Sequence, residues 1–170
     1  MLRNNQVVRF MLGKESFGIN IGNVQEIINI PEITKIPDTP QFLEGVINLR
    51  GKILSVIDLR KRLNFDATHK DKKNRILVTE IDGRVIGLIV DEVSEVVKIN
   101  PDSIEPTPEM INSSGVEYIS GVGKLDDRII LLLDFEKILS NEDMNKVLGP
   151  KIDIDNDNTV LNQQVKEGGL

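Results

Sequence analysis

The sequence GVINLRGKILSVIDLRKRL at residues 45–63 returns 76 residues later as GVGKLDDRIILLLDFEKIL at residues 121–139. A second pair of segments, GINIGNVQEIINI at residues 18–30 and GLIVDEVSEVVKI at residues 87–99, repeats at a spacing of 69. Self-similarity at a fixed spacing marks a repeated structural unit. The chain is therefore predicted to contain two copies of one unit related by a pseudo-twofold axis. The difference, 76 − 69 = 7, predicts a seven-residue insertion at about residues 106–116.

Short aliphatic segments separated by turn residues run through both copies. They are rich in Ile and Val, which favour strands, and glycine, proline or aspartate stands between them. These segments predict an all-β fold of two small barrels. A first lobe is expected at about residues 5–65 and a second at about 75–148, with exchange of strands between the lobes left open. The predicted strands are residues 7–12, 16–21, 24–30, 45–49, 52–57, 75–81, 84–90, 93–99, 118–124 and 128–133.

Helix-start signals are few and local. Asp58 and Asp134 occupy equivalent places after aliphatic strands, and each is predicted to cap a one-turn helix. Their equivalence in the repeat favours this shared structural role over a paired-carboxylate site. Thr39 before Pro40 shows a similar pattern, since proline is well accommodated at the first helical position.

The end of the chain changes character after the second copy. A capping-box pattern at Ser140 predicts a C-terminal helix to about Val147, which Gly149 and the proline after it would end. Residues 151–170 are polar and poor in core-forming side chains, so they are predicted to be a disordered tail. Residues 5–148 are accordingly expected to form a single domain.

Composition narrows the class of protein. The chain has 170 residues, a formal net charge of −6 and no cysteine. An acidic protein gains nothing from counterion release, which opposes nucleic-acid binding, and no apolar run approaches the ~20 residues that span a bilayer. Disulfides and thiolate metal sites are excluded without cysteine. The simplest interpretation is a cytoplasmic protein that does not insert into the membrane.

Candidate sites for chemistry are weak. His69, the single histidine, lies in a polar linker, where a solvated loop residue is the expected role. Residues 153–164 begin with the D-x-D-x-D pattern of calcium loops, but Asn158 replaces the turn glycine and Gln164 replaces the bidentate glutamate. No phosphate-binding loop or nucleophile motif is present. The sequence therefore predicts no catalytic residue, no metal and no cofactor, and an enzyme of unknown type has essentially no supporting residues.

The turn Arg50-Gly51 distinguishes the two copies, because its counterpart is Asp126-Asp127. Glycine at the second position fits a tight hairpin with positive φ. Since Asp126 is acidic, the fold itself does not require arginine at this turn. Arg50 is either a solvated turn charge or a residue that contacts a partner, for which a guanidinium is well suited.

The sequence around this turn resembles a motif of a known family. Residues 45–53 followed by 56–60 are similar to the G-V-x-N-L-R-G-x-[IV]…[IV]-[IV]-D-L-R motif of the CheW family of chemotaxis coupling proteins. Residues 17–19, 24–27, 85–91 and 121–123 also follow the family order. The resemblance covers about residues 5–148.

The resemblance implies two five-stranded SH3-like barrels around a shared aliphatic core. It also implies a non-catalytic adaptor that joins the cytoplasmic signalling hairpin of a chemoreceptor to the regulatory domain of the histidine kinase CheA. Such a protein would work in the cytoplasm at receptor arrays and be a monomer when isolated. Two rival hypotheses are the regulatory lobe pair of a kinase, or of an adaptor fused to a receiver domain, and a nucleic-acid-binding SH3-like barrel.

The family motifs also imply contact residues, each with a structural alternative where the repeat suggests one. Val24 and Val96 could instead fill the core, and Gly45 could serve backbone geometry alone. The receptor-binding residues implied are Val24, Gly45, Arg50, Gly87 and Val96, and the kinase-binding residues implied are Glu26, Ile27, Glu105 and Met110.

Overall fold

A computed structural model describes residues 5–67, 71–81, 83–107, 118–139 and 143. Within these residues the chain is mostly strand, with one short α-helix, α1 (Leu59–Arg62), and single 3₁₀ turns. The strands are β1 (Gln6–Leu12), β2 (Glu15–Asn20), β3 (Val24–Asn29), β4 (Leu43–Leu49), β5 (Lys52–Asp58), β6 (Arg75–Ile81), β7 (Arg84–Val90), β8 (Glu92–Lys98), β9 (Ile104–Glu105), β10 (Ile119–Leu125) and β11 (Arg128–Leu133). The mostly-β prediction is confirmed. The predicted C-terminal helix, apart from Asp143, the predicted tail, Met110 and His69 lie outside the described residues.

The strands form two sheets, and each sheet takes strands from both copies of the repeat. A six-stranded sheet has the order β8-β1-β2-β11-β10-β9, and a five-stranded sheet has the order β3-β6-β7-β5-β4. Replacing each strand of the five-stranded sheet by its counterpart in the other copy gives β8-β1-β2-β11-β10. The sheets are therefore related as the repeat predicts. The pairs β5–β7 and β2–β11 are parallel, and the remaining pairs are antiparallel.

Among the residues that the structure describes, neither sheet closes into a barrel through its strand pairing, so two open sheets replace the expected closed barrels. In the five-stranded sheet the free edges belong to β3 and β4. Pro31, Pro37 and Pro40 stand between these strands and lack the amide hydrogen that a continuing ladder needs. A single bridge, between Thr34 and Val46, pairs this segment with β4.

The positions of the core clusters explain why the strands are aliphatic and why apolar and polar residues do not alternate regularly along them. One hydrophobic cluster lies between the two sheets. Each sheet also has a smaller cluster, formed largely by residues of its own strands. Successive residues of one strand point into different clusters: Val56 packs in the small cluster of the five-stranded sheet, whereas Ile57 packs in the cluster between the sheets. Ile76 and Leu77 divide in the same way. Strands buried on both faces read as continuous apolar runs.

Both predicted aspartate caps are confirmed. Asp58 Oδ1 accepts from the backbone nitrogen of Arg60 at 3.0 Å at the start of α1. Asp134 Oδ1 accepts from the backbone nitrogen of Glu136 at 3.1 Å at the start of a 3₁₀ turn. These bonds satisfy backbone donors that have no partner in the first helical turn.

The helix start predicted at Thr39 and Pro40 is wrong. Thr39 Oγ1 donates to the carbonyl of Ile36 at 2.9 Å, and the backbone nitrogen of Leu43 donates to the carbonyl of Pro40 at 3.0 Å. Asp38 has a φ of 60°, a left-handed conformation that places this segment in a turn. Two consecutive turns therefore replace the helix.

The buried Arg60 links α1 to the segment between β7 and β8, where the chain passes from one sheet to the other. The Arg60 guanidinium binds Asp58 through Nε and Nη2 at 3.0 and 2.9 Å, and Nη1 donates to Asp91 at 3.1 Å. Asp91 is the one residue between β7 of the five-stranded sheet and β8 of the six-stranded sheet. Its other carboxylate oxygen accepts from the backbone nitrogen of Gly13 at 2.6 Å, in the β1–β2 turn. This network joins both sheets through fixed polar contacts.

Candidate functional site

Most of the contact residues implied by the family motifs lie on strands at the edges of the two sheets. Edge strands leave backbone groups unpaired and are common places for another protein to bind. The edge strands are β3 and β4 in the five-stranded sheet and β8 and β9 in the six-stranded sheet. The implied contact residues on them are Val24, Glu26 and Ile27 on β3, Gly45 on β4, Val96 on β8 and Glu105 on β9.

Arg50 and Glu26, implied contacts of different partners, form a two-point ion pair. Arg50 lies in the β4–β5 hairpin with a φ of 52°, followed by Gly51 at 86°. This pair of positive φ angles is that of a type I′ turn. Asn48 Oδ1 accepts from the Gly51 nitrogen at 2.8 Å and fixes the turn further. From this turn, Arg50 Nη1 donates to Glu26 Oε1 at 3.1 Å, and Arg50 Nη2 donates to Glu26 Oε2.

The ion pair changes the titration of both groups. The hydrogen bond from Arg50 holds the pKa of Glu26 below its usual range, and the hydrogen bond to Glu26 raises the pKa of Arg50. The Arg50 side chain is 70% exposed and that of Glu26 30% exposed, so solvent screens the pair and its contribution to stability is small. Its effect is to hold a turn charge against the β3 edge.

Exposed aliphatic residues occur at equivalent positions of the two copies. Ile27 on β3 is 42% exposed, and Val96, 69 residues later on β8, is 48% exposed. The family motifs implied the kinase for Ile27 and the receptor for Val96. The structure thus puts equivalent apolar residues on the edges of both sheets.

Ile53 and Ile129 form a second equivalent pair that sequence reasoning missed. Ile53 is 66% exposed and Ile129 is 61% exposed, at the starts of β5 and β11. Both stand in aliphatic runs with buried neighbours such as Leu54 and Ile130. Nothing in the pattern of these runs separates the exposed residues from the core.

Two of the implied receptor-binding residues are buried glycines. Gly45 has a φ of 146°, and a Cβ atom there would lie 2.0 Å from the Thr34 carbonyl oxygen. A Cβ atom on Gly87 would lie 2.7 Å from Ile76 Cγ2. Both positions are buried, so the structure gives each glycine a packing role.

The remaining implied residues are divided between the sheets. Val24 is half-buried and packs against the cluster between the sheets. Glu105 lies on β9 and forms an exposed ion pair with Lys124, at 2.7 Å between Oε1 and Nζ. Glu105 is therefore on a different sheet from Glu26 and Ile27, with which the family motifs grouped it.

Two further findings bear on chemistry. In the described part of the chain, no group of three or more histidine, aspartate or glutamate side chains is arranged to hold a metal ion. No helix in that part is long and apolar enough to cross a membrane.

Comparison with known proteins gives one consistent result. The model of the CheW-like domain matches residues 6–143. Chemotaxis protein CheW of Klebsiella aerogenes is 41% identical over 135 residues, which are 79% of this chain and 81% of that protein. Chemotaxis protein CheW of Treponema pallidum is 30% identical over 146 residues, covering 84% of this chain and 86% of that protein.

A solved structure agrees with these matches. The crystal structure of the scaffolding protein TtCheW from Thermoanaerobacter tengcongensis superposes with a TM-score of 0.73 at 39% identity. The superposition covers 89% of this chain and 94% of that chain. With the domain matched over most of its length and a CheW relative 41% identical, this chain belongs to the CheW family of chemotaxis proteins.

Proposed function

We propose that this chain is a non-catalytic adaptor that couples chemoreceptors to the histidine kinase CheA in bacterial chemotaxis. The observation that carries the proposal is the set of sheet edges on which apolar residues are exposed beside charges. Ile27 next to Glu26, and Val96 next to Glu95, give each sheet one such edge. An apolar residue with charged neighbours on an open strand is a favourable contact for another protein.

The two partners are assigned mainly to different edges, and their surfaces meet at the ion pair between Arg50 and Glu26. The regulatory domain of the kinase binds the β3 edge through Glu26 and Ile27, with a second contact near Glu105 and Met110. The cytoplasmic signalling hairpin of the receptor binds around Arg50 and the β8 edge at Val96. Val24, Gly45 and Gly87 support these surfaces from half-buried or buried positions.

The finer expectations belong to the same proposal. Each open sheet, with its small aliphatic cluster, corresponds to one SH3-like unit whose strand pairing does not close, within a single domain at about residues 5–148. The protein is a monomer when isolated, needs no cofactor and acts in the cytoplasm at receptor arrays. What supports this is family membership together with a small aliphatic cluster inside each sheet.

Binding measured separately for each partner tests the assignment. The full chain is titrated with the CheA regulatory domain and with a receptor signalling hairpin. Ile27→Ser and Val96→Ser serve as matched controls, because they remove equivalent exposed residues. Ile27→Ser should weaken kinase binding about tenfold, which corresponds to about 1.4 kcal/mol, because it removes an apolar contact. It should leave receptor binding unchanged. Val96→Ser should do the reverse.

Binding to neither partner would overturn the coupling role. Equal losses for both variants with both partners would overturn the division between edges.

A further inference from the structure

A cavity of about 520 Å³ opens beside the end of β11 on the six-stranded sheet. Asn20 lines it from the end of β2, and Asn23 lines it from the 3₁₀ turn that follows. Ser120 lines it from β10, and Asp134 and Glu136 line it from the turn after β11. None of its described lining residues is basic. The rest of the wall is largely apolar and includes Leu132 and Phe135. Two carboxylates and neutral hydrogen-bonding groups within such a wall suit a weakly hydrated cation such as a guanidinium.

The repeat identifies the corresponding place in the five-stranded sheet. Asp58 and Asp134 are equivalent at the spacing of 76, as are Arg60 and Glu136. Each aspartate accepts from the backbone nitrogen two residues later, at 3.0 and 3.1 Å. The two carboxylates are held in the same local geometry, but the side chain beside them is an arginine in one copy and a glutamate in the other.

Arg60 fills this place in the five-stranded sheet. Its side chain is 5% exposed and binds Asp58 through Nε and Nη2. Its Nη1 crosses to Asp91, which corresponds to Gly22 at the spacing of 69. Gly22 adjoins Asn23 on the cavity wall. Arg60 therefore bridges, in one copy, the two positions that correspond to Asp134 and Gly22 in the other.

The carboxylates of the six-stranded copy have no such partner in the described part of the chain. Asp134 Oδ2 lies 3.9 Å from Nζ of Lys137, which is beyond hydrogen-bonding distance. The Lys137 side chain is also 59% exposed. Glu136 is exposed and makes no side-chain hydrogen bond or ion pair with the described residues.

We propose that this cavity binds the guanidinium group of an arginine side chain supplied by a protein partner. Asp134 receives the guanidinium fork as Asp58 receives that of Arg60, and Glu136 binds it at the rim. A planar fork of donors matches a carboxylate better than the point charge of lysine. The proposal does not depend on which proteins bind the sheet edges.

The test uses the full chain labelled with ¹⁵N and three capped tripeptides, Gly-Arg-Gly, Gly-Lys-Gly and Gly-citrulline-Gly. Citrulline keeps the shape of arginine without its charge. The arginine peptide should give saturable shifts at the amides of Asn20, Ser120 and Glu136, with binding at least about tenfold tighter than the other two. Equal shifts with all three peptides, or no saturable shift at these amides, would overturn the proposal.

Variants locate the site. Asp134→Asn keeps a capping side chain while removing the charge, and it should weaken arginine-peptide binding about tenfold. Glu136→Arg should abolish binding while the protein melts at an unchanged or higher temperature, because the new side chain reproduces Arg60. Asp127→Asn, which removes a carboxylate at the opposite end of β11, is the matched control and should bind as the unaltered chain does. Undiminished binding by both Asp134→Asn and Glu136→Arg would refute the assignment.

Discussion

Arg60 and Asp91 lie 31 residues apart in the sequence but are joined by a hydrogen bond of 3.1 Å from Nη1 to Oδ1. This bond fixes the start of α1 to Asp91, where the chain passes from β7 of the five-stranded sheet to β8 of the six-stranded sheet. The same guanidinium neutralises Asp58, whose side chain is 2% exposed. One polar connection between the sheets is thus a buried cation that two carboxylates share.

Arg60→Leu should therefore destabilise the fold strongly. It leaves the buried Asp58 carboxylate without its cation, which costs about 3–5 kcal/mol of the free energy of unfolding. Urea unfolding followed by circular dichroism measures the change. The neighbouring Lys61→Ala removes an ion pair with Glu44 that is partly exposed, and it should cost about 1 kcal/mol or less. Similar losses in the two variants would contradict the role given to Arg60.

Arg50→Ala should leave the protein folded but weaken receptor–kinase coupling. Its side chain is exposed and solvent screens the ion pair, so the free energy of unfolding should change little. Receptor-stimulated kinase activity in a reconstituted mixture should fall several-fold. Lys52→Ala, two residues along the same hairpin, is the control and should retain coupling. A large loss of stability in Arg50→Ala would instead assign Arg50 a structural role.

The pKa of Glu26 gives a direct measure of the ion pair. In the folded protein it lies below the ordinary glutamate range because Arg50 donates to the carboxylate. Since a depressed pKa favours the folded state only while the group is ionised, this contribution is present above the ordinary pKa and is lost as pH falls through the folded value. Side-chain carboxyl NMR titration should show the Glu26 pKa rising in Arg50→Gln. An unchanged pKa in that variant would show that the pair does not form in solution.

Gly45→Ala should destabilise the protein far more than Gly51→Ala. At position 45 the Cβ atom of an alanine would overlap the Thr34 carbonyl, and the alanine would have to adopt a φ of 146°. The expected cost is above about 2 kcal/mol. At Gly51 the φ is 86° but no atom of the described residues would lie within 4 Å of a Cβ, so only the backbone penalty of about 1–2 kcal/mol applies. Thermal unfolding compares the two. Equal losses would mean that the close approach at Gly45 is relieved by local movement.

Gly87→Ala tests whether this buried glycine acts on the receptor through packing. A Cβ atom 2.7 Å from Ile76 Cγ2 should cost about 1–3 kcal/mol. Gly123→Ala, where the nearest side-chain atom lies at 3.4 Å, should cost less. Receptor binding should fall only in proportion to the fraction of folded protein. Loss of receptor binding at full stability would indicate direct contact instead.

The sequence predicted the local features of the fold well. Hairpins such as that around Arg50 and Gly51 and the caps at Asp58 and Asp134 depend on residues close together in the chain. The repeat spacing also predicted two copies of one unit, and the two sheets have equivalent strand orders. These features follow from turn geometry and capping chemistry, which single residues specify.

Long-range features were not predictable in the same way. The pairing of β1 with β8 aligns Val7 with Val97, and nothing in these aliphatic segments selects that partner over another strand. The exposure of Ile53 and the ion pair between Arg50 and Glu26 depend on how distant segments meet. Their identification required the three-dimensional arrangement.

The exchange of strands between the copies has a consequence for synthesis on the ribosome. The five-stranded sheet is built entirely from the continuous stretch between Val24 and Val90, so it can pair as soon as that stretch has emerged. The β1–β2 hairpin precedes this stretch, but its partners β8 and β11 end only at Lys98 and Leu133. Pairing over such separations is slow, and unpaired aliphatic strands are prone to aggregation. Until β8 and β11 have also emerged, the outer edges of β1 and β2 are therefore open, and a chaperone that covers them would limit aggregation.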